Sequence, residues 1–349
     1  MLHRRGALAL AATVLTGASG PGEAAAQPSG VPVEEAMVPS DPGIQVYVRN
    51  KRPADAGAFG PDRTLLFVHG ATYPASTAFD LPLGGQSWMD VLARRGFDVW
   101  LMDVRGYGRS TRPASLDQPP EANPPIDTTE EAVRDFAAVA EHILRTRGLD
   151  RLDAMGWSWG TTIAAGFAAR APSKVNRLVL YAPLWVLREP PPIGAPGGKV
   201  GAYRTVTREQ ALARWLNGVP EEKRAGLIPP GWFDQWANAT WASDPGGAAR
   251  TPPVLRATNG VLQDVLTRWG EGKPTYDPAA ITAPTLLVHG EWDRDTPAHM
   301  SQALFPLLTR AAWKQYTVIG EGTHTLMMER NRGLLFETVQ AFLEAPGPR

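Results

Sequence analysis

Gly156-Trp157-Ser158-Trp159-Gly160 decides the reading of this chain. The pentapeptide follows the run Leu152-Asp153-Ala154-Met155 and opens a small-residue helical pattern, Thr161-Thr162-Ile163-Ala164-Ala165-Gly166. The order is strand, sharp turn, helix, with a serine at the apex. A serine hydroxyl is a weak nucleophile at neutral pH and has to be presented, exposed, to a neighbouring base. A strained turn does this, and glycines flank it because a Cβ there would clash. Five residues alone arise by chance. The strand–turn–helix setting, and the partners found elsewhere in the chain, give the pattern its weight.

Composition bounds the problem. The 349 residues, 43% apolar and with 33 prolines, suffice for one large α/β domain or two small ones. Formal net charge is zero and no basic stripe stands out, so no nucleic-acid partner is expected. The absence of cysteine excludes disulfides, thiolate metal sites and a cysteine nucleophile. At the start, Arg4-Arg5 precede an apolar stretch from Gly6 to Gly17, and Ala24-Ala25-Ala26 offers a small-residue cleavage site before Gln27. Residues 1–26 are therefore expected to be a secretory signal, and the mature protein periplasmic or secreted. The paired arginines hint at the twin-arginine route, but Gly6-Ala7-Leu8 supplies no phenylalanine after them, so the export route stays open. No later segment holds 18 uninterrupted apolar residues, and no membrane anchor is expected.

The remainder alternates strands and helices. Ile44 to Val48 alternates like an early antiparallel strand. Thr64 to Val68 is a continuous apolar run, as in a strand buried on both faces. Ser87 to Arg95 reads as helix and Phe97 to Met102 as strand. Thr128-Thr129-Glu130-Glu131 has the form of a capping box, opening a long helix through Val133, Phe136, Val139 and Ile143. Further strands are expected at Arg177 to Tyr181, Thr285 to Val288 and Lys314 to Ile319, and a closing helix from Arg332 through Phe342. Such alternation implies a mostly parallel, doubly wound sheet with helices on both faces.

From about Trp185 to Ala283 the rhythm breaks. No convincing strand is visible there. A Pro/Gly loop, Glu189 to Gly201, leads to helical candidates at Thr207 to Leu216, Pro230 to Trp241 and Pro253 to Trp269. So long a stretch between two sheet strands is too long for a loop. Residues 185–283 are expected to form a helical cap over the carboxyl edge of a core built from 27–184 and 284–349. The cap's tryptophans are expected mostly to fill its own core, with one or two left to line an apolar pocket.

These features resemble the α/β-hydrolase superfamily, in its form with a helical cap, over roughly Ile44 to Phe342. The resemblance rests on the elbow and on further motifs in the family's order. Phe67-Val68-His69-Gly70-Ala71 is a strand running into His-Gly-x, and it implies that the backbone N–H groups of Ala71 and Trp159 form an oxyanion hole. Asp103-Val104-Arg105-Gly106-Tyr107-Gly108-Arg109-Ser110 resembles a turn that shapes the loop behind the nucleophile, so Asp103 and Arg105 read as structural. In His289-Gly290-Glu291-Trp292-Asp293-Arg294-Asp295-Thr296-Pro297, Asp293 fits the register of the family's acid and Asp295 does not. Ala182-Pro183-Leu184, the other place where this family puts an acid, holds no carboxylate. Gly320-Glu321-Gly322-Thr323-His324 follows the last strand, and of the six histidines only His324 stands in the catalytic slot. The order Ser158, Asp293, His324 is that of the family's triad.

The resemblance implies a serine esterase acting on a hydrophobic small-molecule ester or lactone through an acyl-enzyme, with no metal and no organic cofactor. Tyr73 and Trp185 are candidates for the substrate pocket, being near the chemistry in sequence. A serine at the elbow argues against the dehalogenases and epoxide hydrolases of this fold, which use aspartate there. Proline iminopeptidases have a similar elbow but usually carry H-G-G-P-G where this chain has His69-Gly70-Ala71-Thr72-Tyr73. Carbon–carbon bond hydrolases share the triad and stay open, although an export signal disfavours them. A hydrolase-like binding protein would require a broken triad, and none of its members is missing.

Overall fold

Thr64–Val68, Asp98–Met102, Leu152–Trp157 and Thr285–Gly290 are strands in which every residue is buried. Continuous apolar runs of this kind suit strands covered on both faces. A computed structural model describes residues 31–55, 57–187 and 200–347 of the chain. The expected signal segment, 1–26, lies outside these residues, as does nearly all of the Pro/Gly loop expected from Glu189.

The strands are β1 (Val33–Pro39), β2 (Gln45–Lys51), β3 (Thr64–Val68), β4 (Asp98–Met102), β5 (Leu152–Trp157), β6 (Val175–Tyr181), β7 (Tyr203–Val206), β8 (Leu255–Thr258), β9 (Thr285–Gly290) and β10 (Lys314–Ile319). Eight form one sheet in the order β1-β2-β4-β3-β5-β6-β9-β10. The β1–β2 and β2–β4 pairs are antiparallel, and β4 through β10 run parallel. The α-helices are α1 (Ala75–Phe79), α2 (Trp88–Arg94), α3 (Thr129–Arg147), α4 (Trp159–Arg170), α5 (Arg208–Trp215), α6 (Glu221–Arg224), α7 (Trp232–Ala242), α8 (Pro245–Ala248), α9 (Gly260–Thr267), α10 (Ala298–Leu307) and α11 (Arg332–Glu344).

Alternate residues of each central strand feed opposite cores. Leu66, Val68, Ala154 and Leu287 pack with α3, α4 and α10. Leu65, Phe67, Met155 and Val288 pack with α1, α2 and α11. This is the doubly wound α/β architecture that the alternation implied. The capping box at α3 forms as read: Thr128 accepts from the N–H of Glu131, whose carboxylate accepts from the N–H of Thr128.

The inserted segment differs from its reading. Among the described residues of 185–283 there is a two-stranded antiparallel ribbon, β7 with β8, beside the helices. The helix expected from Pro253 to Trp269 is instead β8 followed by the shorter α9. The strands are four residues each and pair across four intervening helices. Neither a hairpin turn nor a run long enough to show alternation marks them locally. Edge strand β1 also went unread. Six of its seven side chains are exposed, so it carries no apolar pattern.

Candidate active site

The parallel strands share a carboxyl edge, and the expected site residues fall on the loops that leave it. That edge is where open α/β sheets bind ligands. Ser158 follows β5, the His69–Tyr73 loop follows β3, Asp293 follows β9 and His324 follows β10.

The turn at Ser158 is sharp. Its backbone sits at φ 58° and ψ −123°, a conformation costly for any residue with a side chain. The flanking glycines show what forces it. A Cβ on Gly156 would stand 2.1 Å from the carbonyl oxygen of Gly160, and one on Gly160 would stand 2.5 Å from that of Val68. Strand β5, helix α4 and the end of β3 meet there without room for a methyl group. Gly70 also passes close, since a Cβ on it would lie 2.9 Å from Cβ of Ser158 and 3.4 Å from its Oγ. The loop carrying Ala71 is thus pressed against the serine.

His324 is buried beside Asp293. Its Nδ1 lies 2.9 Å from Asp293 Oδ2. The carboxylate is fixed in turn by the N–H groups of Asp295 and Thr296 and by Thr296 Oγ1, each at 2.9 Å. Burial works against charge on Asp293, but His324 and then the Thr296 donors outweigh it and hold the carboxyl below its ordinary range. Burial likewise opposes charge on His324. Asp293 first, and Asp295 after it, outweigh burial and raise the imidazole pKa, while Arg214 works in the opposite direction.

The carbonyl of His324 is held by two aromatic donors, Trp157 Nε1 and Tyr181 Oη, both at 2.9 Å. Glu329 is wholly buried beneath the same loop. It accepts from the N–H and hydroxyl of Thr323, and from Trp215 Nε1 at 2.8 Å. Burial pushes Glu329 up to about 6, even with these donors. The carbonyl of Ala71 is also held from two sides, by Arg204 Nη2 at 2.6 Å and Tyr107 Oη at 2.9 Å. Arg204 belongs to β7, so the inserted segment braces the loop next to the serine.

A cleft open to solvent is lined by Ser158, His324, Ala71, Tyr73, Trp157, Arg214, Trp215 and Asp295 among others. Of the two pocket candidates, Tyr73 lines it and Trp185 does not. Trp185 is buried in the core with its ring edge-on to Tyr276, at 5.2 Å between centroids. It follows β6 in sequence, but its ring turns into the packing below the insertion. The ring of Trp159 is buried too, its Nε1 donating to Thr129 Oγ1 at 2.8 Å, which leaves only its backbone near the serine.

His69, Asp103 and Arg105 have structural settings. His69 Nε2 accepts from the N–H of Val104 at 2.9 Å, and burial pushes its pKa down to about 4. Asp103 accepts from the N–H groups of Ala75, Ser76 and Arg109. Arg105 pairs with Asp41 and Asp135. Sequence reasoning missed Trp157, Arg214 and Glu329, whereas Trp215 is one of the insertion's tryptophans, of which one or two are expected at the pocket. Trp157 stands inside the elbow and was within reach. Arg214 and Trp215 lie in an amphipathic helix of the insertion, where nothing in sequence says which face meets the cleft. Among the described residues no cluster of histidine and carboxylate groups is suited to a metal ion.

A family model described as alpha/beta hydrolase fold matches residues 63–331. The chain is 27% identical to 2-hydroxy-6-oxo-2,4-heptadienoate hydrolase of Pseudomonas putida over 304 residues, 83% of this chain and 91% of that protein. It is 27% identical to a probable proline iminopeptidase of Streptomyces coelicolor over 208 residues, 51% of this chain and 58% of that one. The structure of a thermophilic esterase from Thermogutta terrifontis superposes with a TM-score of 0.57 at 18% identity, covering 89% of this chain and 98% of the esterase.

Proposed function

The chain belongs to the α/β-hydrolase fold family, and from that premise we propose that it is a serine hydrolase cleaving carboxylic esters of hydrophobic small molecules. The observation that carries this reading is one cleft holding both Ser158, on its strained turn, and His324, bonded through Nδ1 to a buried carboxylate.

In the proposed reaction His324 Nε2 takes the Ser158 proton as Oγ attacks the acyl carbon. Asp293 keeps the imidazole in the tautomer with Nε2 free and stabilises the imidazolium. The N–H groups of Ala71 and Trp159 take the developing oxyanion, which needs them more than the ground-state carbonyl does. His324 then gives its proton to the leaving alcohol. Water repeats the sequence and releases the acid. No cofactor enters these steps.

The character of the cleft supports esters over peptides. Tyr73, Trp157, Ala211 and Trp215 give it apolar walls. An aminopeptidase requires a free carboxylate for the substrate's ammonium group, and Asp295 in this cleft is already paired with Arg214 at 2.7 Å. Carbon–carbon bond hydrolysis is a second reading, favoured by the similarity to the heptadienoate hydrolase along most of both chains. We further propose export through the basic and apolar start of the sequence, which N-terminal sequencing of native protein tests.

A panel of p-nitrophenyl esters of increasing acyl length, run beside proline p-nitroanilide and a 2-hydroxy-6-oxodienoate, separates the readings. Ester turnover that disappears in Ser158→Ala, with no anilide turnover, is the expected result. Dienoate turnover far above that of every ester would replace the ester reading by the carbon–carbon one.

A further inference from the structure

One charged pair borders the cleft without a part in the steps above. Arg214 of α5 donates from Nε to Asp295 Oδ2 at 2.7 Å and from Nη1 to Thr72 Oγ1 at 3.2 Å. The same Asp295 oxygen lies 3.8 Å from Nε2 of His324. In the proposed reaction Nε2 is the nitrogen that has to accept the serine proton. Asp295 would have to shift by only about 1 Å to bond it directly, at the length of a charge-assisted hydrogen bond. The ring would then carry a carboxylate on each nitrogen. Such an imidazolium keeps its proton, and Ser158 loses its base.

Arg214 offers Asp295 a competing partner that is charged at every working pH. We infer that Arg214 is a positioning residue: by pairing with Asp295 it keeps that carboxylate off Nε2 of His324. The helix that carries Arg214 belongs to the inserted segment, so the insertion sets the working basicity of the imidazole as well as covering the cleft. The inference rests on the reading of His324 as the general base.

The other titratable groups around the ring are few. Asp293 and Asp295 face it from the β9–α10 loop, and Arg214 from α5. Tyr181 of β6 meets its carbonyl, Tyr73 lines the same cleft, and Glu329 reaches its loop through Thr323 and Thr325. Of these, only Asp295 and Arg214 form a pair in which one member screens the other from the ring.

The test is the pH dependence of kcat/KM for a neutral aryl ester between pH 5 and 9. It compares the wild type with Arg214→Met, Arg214→Lys, Asp295→Asn and the Arg214→Met/Asp295→Asn double variant. Thermal unfolding and phosphonate labelling of Ser158 check that each variant is folded. Loss of Arg214 is expected to move the acid limb up by about one pH unit, since a carboxylate that near the ring favours the imidazolium. Asp295→Asn is expected to move the limb down. The double variant should lie close to Asp295→Asn, displaced from it only by loss of the weaker direct field of the guanidinium on the ring, so losing Arg214 should matter far less once Asp295 is an amide. Arg214→Lys should keep the wild-type limb even if kcat falls. Arg214→Gln replaces the methionine variant, with the same expected shift, should the latter not fold.

An Arg214→Met variant that loses activity equally at every pH overturns the inference and leaves Arg214 a strut of the insertion. A raised KM confined to carboxylate-bearing esters, with the limb unmoved, also overturns it and makes Arg214 a substrate clamp. A wild type with no acid limb, or with no label on Ser158, overturns the underlying triad reading and the inference with it.

Discussion

Asp293 and Asp295, two positions apart on one loop, address opposite nitrogens of the same ring. Asp293 Oδ2 lies 2.9 Å from Nδ1 of His324, and Asp295 Oδ2 lies 3.8 Å from Nε2. Three other donors pin Asp293, whereas Asp295 is held through Arg214. The two carboxylates should therefore answer differently to the same substitution. Asp293→Asn puts an amide against Nδ1 and favours the wrong tautomer, with an expected loss in kcat on the order of 10⁴. Asp295→Asn should cost far less at the pH optimum. Steady-state kinetics of the two variants decide the matter, and equal losses would reverse the assignment of the acid.

The acid limb of the wild-type profile follows from the same carboxylates. Burial opposes the imidazolium, but Asp293 and Asp295 outweigh it and leave the His324 pKa above the ordinary value of 6.5. A general base works only when deprotonated, so kcat/KM should fall as pH drops through that raised value. The midpoint is expected above 6.5. For stability the sign is opposite. A raised folded-state pKa contributes stability at pH below 6.5, and that contribution is lost as pH rises through the folded value. A kcat/KM profile flat from pH 5 to 8 would remove histidine as the base.

Crowding at the elbow makes a third prediction. Gly160→Ala introduces a Cβ that would meet the carbonyl oxygens of Val68 and His69 at 2.5 and 2.6 Å. The end of β3 has to move, and the loop carrying Ala71 moves with it. Overpacking of this sort costs roughly 1–3 kcal/mol. Urea unfolding should register that loss, and kcat should fall more than KM rises if the displaced Ala71 N–H is the transition-state donor proposed above. Unchanged kcat would mean that the β3 loop takes no part in catalysis.

Sequence made the frame legible, and the candidates Ser158, Asp293 and His324 could be named because each follows a strand in a short turn, after the buried β5 and β9 and the edge strand β10. There, local pattern and chemistry coincide in a few adjacent residues. The insertion was less legible for the opposite reason. Tyr203–Val206 and Leu255–Thr258 form their ribbon across four helices, and a contact so distant leaves no local trace. Trp185 lies next to the end of β6, yet its ring turns towards Tyr276 and away from the cleft. Nearness in sequence fixed its Cα and said nothing of its rotamer. Arg214 and Glu329 are marked only by side-chain contacts between segments more than eighty residues apart, and the same contacts single out Trp215 among the insertion's tryptophans.

Trp232 and Trp236 stand one turn apart on α7 and separate stability from selectivity. Trp236 is wholly buried, with ring centroids of Tyr73, Trp215, Phe233 and Trp241 at 4.7, 5.2, 5.7 and 6.2 Å. Trp232 is only partly buried, and its ring carries the guanidinium of Arg332 at 4.4 Å. Trp236→Ala should cost roughly 3–5 kcal/mol, as large core truncations do. Trp232→Ala should cost about 1 kcal/mol for the exposed cation–π contact, plus the packing lost on its buried side. Neither ring lines the cleft, whereas Tyr73 lines it and packs edge-on against Trp236. Both variants should therefore keep the wild-type ratio of kcat/KM for long and short acyl esters. Tyr73→Ala opens the cleft onto the space in front of Trp236, and it alone of the three should shift that ratio towards long chains. Urea midpoints and the ester panel measure the two effects separately. A ratio altered by Trp236→Ala but not by Tyr73→Ala would mean that Tyr73 is not the wall of the acyl pocket.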